Sequence, residues 1–273
     1  MSLFSRKKKL IVSGCSYTDD YATTQNLKPF PLWPELLAEK LDMECINVGK
    51  VAFGNKAIYS TLIDQVVSQK NVGLAISMWS EFQRVSFYMG EGNLPKGIDE
   101  KMLWSCFHPE RDYLEGEWHD QFYDDAEKNP AKKDYVYKVS KVIREHGLGG
   151  MKGGTYDSIR MMYSFQTICE SLDIPHLQVQ GCIPIMSKTG NRGQKELCHY
   201  ILDSCYFDKI NKKTFLGWPI MPQISGTNID NHLDLIDPDR TALRISPEDV
   251  HPNEEAQEII SEILYDQYNK VYS

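Results

Sequence analysis

What most constrains this chain is a rhythm: short apolar runs alternate with stretches whose apolar residues recur at helical spacing. Leu10–Ser13 is an apolar run closed by Gly14, the pattern of a buried strand. Trp33, Leu36, Leu37 and Leu41 then recur at helical spacing, with Pro34 suited to a first turn. Cys45–Val48 reads as a second strand. Asn55 is placed to cap a helix carrying Ile58, Leu62, Val66 and Val67 on one face. Leu74–Met78 reads as a third strand, Ile159 to Leu172 as a helix, and His176–Gln180 as another strand. Ala256, Ile259, Ile260, Ile263, Leu264 and Tyr268 form the stripe of a last helix, with Pro252 at its start. Strands alternating with helices predict an α/β fold, a parallel sheet wrapped by helices. In such sheets ligands bind beyond the carboxyl ends of the strands. The chemistry is therefore expected just after Ser13, Val48 and Met78.

The rhythm fails from Val85 to Asp157. This stretch holds Trp104, Trp118, Phe122 and Tyr123 among many charges, and it ends in Gly147, Gly149, Gly150, Gly153 and Gly154. It reads as a large insertion after the third strand of a single domain spanning 1–273, with the glycines as a flexible loop. Two roles fit equally: a lid or substrate wall, and a structural or partner-facing excursion. A P-loop is excluded, since no Gly-x-x-x-x-Gly-Lys-[Ser/Thr] occurs. Phe207–Ser246 is a second irregular stretch.

Composition narrows the classes of function. With 30 Lys and Arg against 38 Asp and Glu, the net charge of −8 argues against general nucleic-acid binding, which needs a basic surface. No apolar run approaches the ~20 residues that span a bilayer. Seven cysteines, an odd number without Cys-x-x-Cys, point to reduced thiols in a cytoplasm-like compartment. Arg6-Lys7-Lys8-Lys9 followed by only three apolar residues is too short a core for a signal peptide, despite a lipoprotein-like Val12-Ser13-Gly14-Cys15. A cytoplasmic location is expected. A cell-surface role would need another route, such as incorporation into a virus particle.

Two places can carry chemistry together. In Gly14-Cys15-Ser16-Tyr17-Thr18-Asp19, a glycine lets the chain bend after the first strand and Ser16 projects from its carboxyl end. On its own this serine reads more naturally as a helix cap than as a nucleophile. Asp249-Val250-His251-Pro252 precedes the last helix. Serine becomes a useful nucleophile when a base takes its proton. Histidine commonly does so, with a carboxylate holding its tautomer.

This arrangement resembles the SGNH, or GDSL-like, hydrolase family across nearly the whole chain. Gly14-Cys15-Ser16-Tyr17-Thr18 looks like a divergent first block. Asn47-Val48-Gly49 with Gly54-Asn55 looks like the second, and His251-Pro252-Asn253 like the last. The resemblance implies a three-layer α/β/α domain with a flavodoxin-like parallel sheet. It implies Ser16 as nucleophile, His251 as base and Asp249 as the orienting carboxylate. Oxyanion donors would be the amides of Ser16 and Gly54, with Ser80 or Arg84 as a third. Asn55 and Trp79 are expected to contact substrate. The substrate class is broad: carbohydrate O-acyl groups, lipids or small esters. Neither metal nor organic cofactor is expected, and the oligomeric state is open.

Three departures qualify the resemblance. Cys15 replaces the usual Asp. Asp249 stands two residues before His251 rather than three, and Glu248 fills that other slot as a rival. The family's third block offers an Asn that donates to the oxyanion; here Met78-Trp79-Ser80-Glu81-Phe82-Gln83-Arg84 stands instead. Loss of one such donor can raise the barrier by ~3–4 kcal/mol. Two alternatives therefore accompany the esterase: a non-catalytic binding or assembly subunit that kept the fold, and an O-acyltransferase. Elsewhere, Asp230, His232, Asp234, Asp237 and Asp239 crowd one segment that reads as a solvated acidic loop rather than a cation site. His108, Glu110, Asp112, His119 and Asp120 lack a zinc-binding frame. Cys198 and Cys205 are expected on one helix, facing the core.

Overall fold

The computed structural model describes residues 7–89, 104–109, 130–185 and 190–273. Five parallel strands form one sheet: β1 (Lys9–Ser13), β2 (Glu44–Asn47), β3 (Val72–Trp79), β6 (His176–Gln180) and the two-residue β7 (Phe215–Leu216). Their order is β2-β1-β3-β6-β7, with Leu10 beside Cys45 and Leu74 and with Trp79 beside Gln180. This is the α/β arrangement and flavodoxin-like order expected of the sequence.

The pleat divides the core in two. Ile11, Ala75 and Trp79 face one layer, with Ala57, Ile58, Leu62 and Val66 of α3 (Asn55–Ser68). Ile159, Met162, Phe165 and Cys169 of α5 (Gly150–Ser171) and Leu197 and Ile201 of α6 (Gly190–Leu202) complete that layer. Leu10, Val12, Leu74, Ile76, Met78, Leu177 and Val179 face the other, made by α2 (Trp33–Lys40), α7 (Ile229–Ile236) and α8 (Glu254–Tyr272). Successive strand residues point to opposite faces, so continuous apolar strands require helices on both.

The helix ends follow from local chemistry. Glu35 reaches back to the Leu32 amide at 2.9 Å at the head of α2. Asn253, not Pro252, caps α8: its Oδ1 accepts from the Ala256 amide at 3.1 Å, and Glu254 and Glu255 sit in the positive first turn. Gly54, not Asn55, is the N-cap of α3, and Val67 on that helix is exposed.

The second irregular stretch contains β7 and α7, elements too short to show a period. The insertion contains a two-stranded antiparallel sheet, β4 (Val85–Tyr88) with β5 (Trp104–Phe107), and then α4 (Pro130–Glu145). Its expected boundary at Asp157 falls inside α5. The glycines at 150, 153 and 154 are helical, not a flexible loop. A Cβ on Gly154 would stand 2.0 Å from the Phe82 carbonyl oxygen, so the missing side chain lets α5 close on the chain after β3. Trp118, Phe122, Tyr123, Glu110, Asp112, His119 and Asp120 lie outside the described residues. Among the described residues, no helix is long and apolar enough to cross a membrane.

Candidate active site

The turn after β1 is built around Gly14, where a Cβ would meet Thr18 Oγ1 at 2.1 Å. With that space free, the Thr18 and Asp19 amides fold back onto the Cys15 carbonyl at 2.9 and 3.1 Å. The segment after β2 clamps the turn from the side. Asn47 Nδ2 donates to the Thr18 carbonyl at 2.6 Å, and the Lys50 amide to the Gly14 carbonyl at 3.1 Å. Asp19 accepts from the Val51 amide at 3.0 Å. Ser16 stands on this braced turn and is 6% exposed.

The structure brings Ser16, His251 and Asp249 together. His251 Nε2 lies 2.9 Å from Ser16 Oγ, and His251 Nδ1 lies 2.6 Å from Asp249 Oδ1. The same Asp249 oxygen accepts the His251 backbone amide at 3.1 Å. Burial raises the cost of charge on Asp249. The bonds and charge of His251, with the Tyr21 hydroxyl, outweigh that cost and hold its carboxyl below the usual range. Glu248 is turned elsewhere, accepting from Ser246 Oγ at 3.0 Å.

A buried network holds the loop that carries Asp249 and His251. Arg244 Nη1 donates to the Val250 carbonyl at 3.0 Å and to Asp230 Oδ1 at 2.9 Å, and its Nη2 to Asp234 Oδ1 at 2.8 Å. Asp230 also accepts from the Tyr17 hydroxyl at 2.7 Å and from the Ile183 amide at 2.9 Å. Arg240 and Asp234 pair beside it, and Asp237 accepts the amides of Thr241, Ala242 and Leu243. The acidic segment is thus not a solvated loop. It is a helix and a turn in which Asp230 and Asp234 bind arginines and Asp237 binds backbone amides. Among the described residues, no group of three or more His, Cys, Asp and Glu side chains is placed to hold a metal ion.

The remaining expected residues lie elsewhere. Trp79 is fully buried in the core, its Nε1 donating to Gln178 at 3.0 Å; strand alternation turns it away from the site, so it is not a substrate contact. Asn55 is also internal. Its Oδ1 accepts the Ser80 amide at 2.8 Å, and its Nδ2 reaches the Ser80 carbonyl at 3.3 Å and Ser158 at 2.8 Å, which corrects both its capping and substrate-contact readings. Ser80 is fully buried, with its amide engaged by Asn55 and its hydroxyl 3.9 Å from Cys182 Sγ. Gly54 packs against Arg84 and Ser86, and its amide faces the Cys106 sulfur. Arg84 donates from Nε to Glu81 at 2.6 Å and from Nη1 to the Phe53 carbonyl at 3.4 Å. Its charge acts on Cys15, the neighbour of Ser16. Glu81 also meets His108 Nε2 at 3.3 Å. Cys198 faces the core from α6, whereas Cys205 lies beyond that helix and is exposed; all seven cysteines are free thiols.

Tyr17, Tyr21, Asp230 and Arg244 belong to the site without having been expected there. The aromatic beside Ser16 was a signal for Tyr17. Nothing local to Tyr21 or Arg244 announces contacts more than two hundred and six residues away respectively.

No protein-family model matches the chain, and no curated protein sequence matches it. Several solved structures follow a similar course at low identity. One is a G-D-S-L family protein from Desulfitobacterium hafniense DCB-2, 13% identical, covering 96% of this chain and 99% of its own, with a TM-score of 0.47. Another is the psychrotrophic esterase EstA from Pseudoalteromonas sp., 13% identical, covering 97% and 98%, with a TM-score of 0.46. A third is the acetyl xylan esterase AlAXEase, 14% identical, covering 95% and 98%, with a TM-score of 0.44. At these scores the likenesses carry no inference about activity.

Proposed function

We propose that this chain is a divergent SGNH-type serine ester hydrolase that works through an acyl-serine. The observation that carries the reading is the hydrogen-bonded run from Ser16 Oγ through His251 to Asp249. In the first step Ser16 Oγ attacks the ester carbonyl and its proton passes to His251 Nε2. Asp249 holds Nδ1–H and stabilises the imidazolium that forms. His251 then gives its proton to the leaving alkoxide. Water, deprotonated by His251, then attacks the acyl carbon, and His251 returns that proton to Ser16 Oγ as the acid leaves. The Ser16 amide and the Arg84 charge are the proposed oxyanion partners; the Gly54 amide joins them only if it turns from the Cys106 sulfur it faces. Ser80, buried and bonded through its backbone, is not among them.

The near-complete burial of Ser16 favours a small acyl group. Carbohydrate O-acetyl esters and short-chain esters are the proposed substrates, and the insertion is proposed to border their pocket. The expected compartment is the cytoplasm, with a virus particle as the alternative. One observation favours a second reading, the non-catalytic subunit: where the family carries an oxyanion-binding Asn, this chain has the inward-turned Ser80. An O-acyltransferase would share the same first step and exclude water from the second.

Covalent labelling separates the two enzyme readings from the non-catalytic one. A fluorophosphonate should label the wild type at Ser16, and Ser16→Ala and His251→Ala should abolish labelling. Aryl acetate hydrolysis should follow the same pattern. A folded wild type that neither labels nor hydrolyses the acetate would refute the enzyme.

A further inference from the structure

His251 is enclosed by more than its carboxylate. Tyr21 is the first residue of α1 (Tyr21–Thr24), a short helix fixed at its head by Asp20, which accepts the Thr23 amide at 3.1 Å. The Tyr21 ring lies stacked on the imidazole, with centroids 3.7 Å apart and planes 23° from parallel. Its hydroxyl donates at 3.0 Å to Asp249 Oδ2, the carboxylate oxygen that His251 leaves open. One half-buried side chain therefore touches both members of the acid–base pair.

Resting on the reading of His251 as the base, we infer that Tyr21 is a positioning residue for proton transfer. Its ring fixes the imidazole plane and offers a π face to the imidazolium, and its hydroxyl tempers the basicity of Asp249. The two contacts act in opposite directions on His251. A cation gains from lying over an aromatic face, so the ring favours protonation. A carboxylate that accepts another hydrogen bond is more stable as an anion and draws a proton onto its neighbour less strongly, so the hydroxyl opposes protonation. Burial, followed by the charge of Asp249, pushes the Tyr21 phenol well above its usual range, which keeps it a donor.

Among the described residues, the other groups that face His251 are few. Ser16 and Tyr17 approach from the turn after β1, the Tyr17 ring edge-on at 5.7 Å, and Asp249 approaches from the same loop as His251. Behind Tyr17, Asp230 and Arg244 bind each other. Glu248 points to Ser246.

Two variants of the full chain test the inference. Tyr21→Phe keeps the stack and removes the hydroxyl; Tyr21→Leu removes both. The His251 protonation midpoint is read by NMR of the imidazole nitrogens, and the pH profile of kcat/KM is read with 4-nitrophenyl acetate. Tyr21→Phe should raise the midpoint, since Asp249 loses a hydrogen bond, and move the acid limb of the profile upward with it. Relative to Tyr21→Phe, Tyr21→Leu should bring the midpoint back down and lower kcat by roughly 2- to 30-fold, the reach of a cation–π contact. Midpoints unmoved in both variants would overturn the inference, even if activity fell. Should Tyr21→Leu fail to fold, the Phe variant decides alone, since it preserves the shape of the ring. The midpoint is readable whether or not ester is hydrolysed. An inert wild type whose midpoint moves in Tyr21→Phe would sink the hydrolase and leave the coupling standing. An active wild type with a fixed midpoint would do the reverse.

Discussion

Replacing Arg244 with methionine should be among the most damaging single changes outside the proposed triad. The guanidinium is buried, its side chain 1% exposed, and it binds Asp230, Asp234 and the Val250 carbonyl. Removing one partner of a buried pair strands the other charge and typically costs about 3–5 kcal/mol. Here the lower end applies. Asp230 keeps the Tyr17 hydroxyl and the Ile183 amide, and Asp234 keeps Arg240. The lost bond to Val250 contributes about 1 kcal/mol within that total. A loss near 3 kcal/mol is therefore expected, read as a lower urea midpoint at unchanged slope. Because the stranded charge is the cause, Arg244→Met combined with Asp230→Asn should be more stable than the sum of the two single changes predicts, by about 1 kcal/mol or more. A single variant within 1 kcal/mol of wild type, or strict additivity in the double, would refute the account.

Three further outcomes follow from the geometry. Asp249→Asn should lower turnover of an aryl acetate by as much as ~10⁴-fold, the cost of a wrong histidine tautomer, while Glu248→Gln should leave it near wild type; the opposite ranking would reassign the carboxylate. Gly154→Ala places a Cβ 2.0 Å from the Phe82 carbonyl oxygen, so α5 must shift and the variant should lose about 1–3 kcal/mol, measurable by calorimetry. Burial depresses the pKa of His176 below its usual 6.5, so its neutral form belongs to the fold. Its contribution is intact above about pH 6.5 and is lost as pH falls through the folded-state value, and urea midpoints of His176→Gln should decline less over that range than those of wild type.

What could be read from the sequence was what repeats or lies close together. β1 and β3 are buried on both faces, so each showed as a mainly apolar run, whereas β6 is equally buried but alternates Leu177 and Val179 with His176, Gln178 and Gln180. Asp249 and His251 share one loop, so their pairing was available at a spacing of two. What could not be read depended on partners far along the chain. Asn55 has the chemistry of a helix cap, but the Ser80 backbone, 25 residues on, claims its side chain. Gly150, Gly153 and Gly154 have the composition of a loop, yet they lie in α5, where Gly154 alone makes the close approach to Phe82. The carboxylates from Asp230 to Asp239 gave no sign of Arg244 and Arg240 folding back onto them. Trp79 sits at the right place in the chain for substrate, but the pleat points it to the other side.

Ser16 and His251 are 235 residues apart, yet they share one hydrogen bond. During synthesis the serine emerges early, on the first strand, and the histidine only after nearly the whole sheet has been made. A ribosome-bound fragment ending before residue 249 can hold Ser16, the proposed nucleophile, but neither its proposed base nor its proposed carboxylate. Such a fragment should therefore be inert toward esters and toward phosphonate reagents. On the proposed hydrolase reading, Ser16 would then be a late-switching marker of completed folding, bright in the finished protein and silent in partially synthesised or C-terminally clipped chains, because closing so long a loop is deferred until the last strand–helix unit has docked.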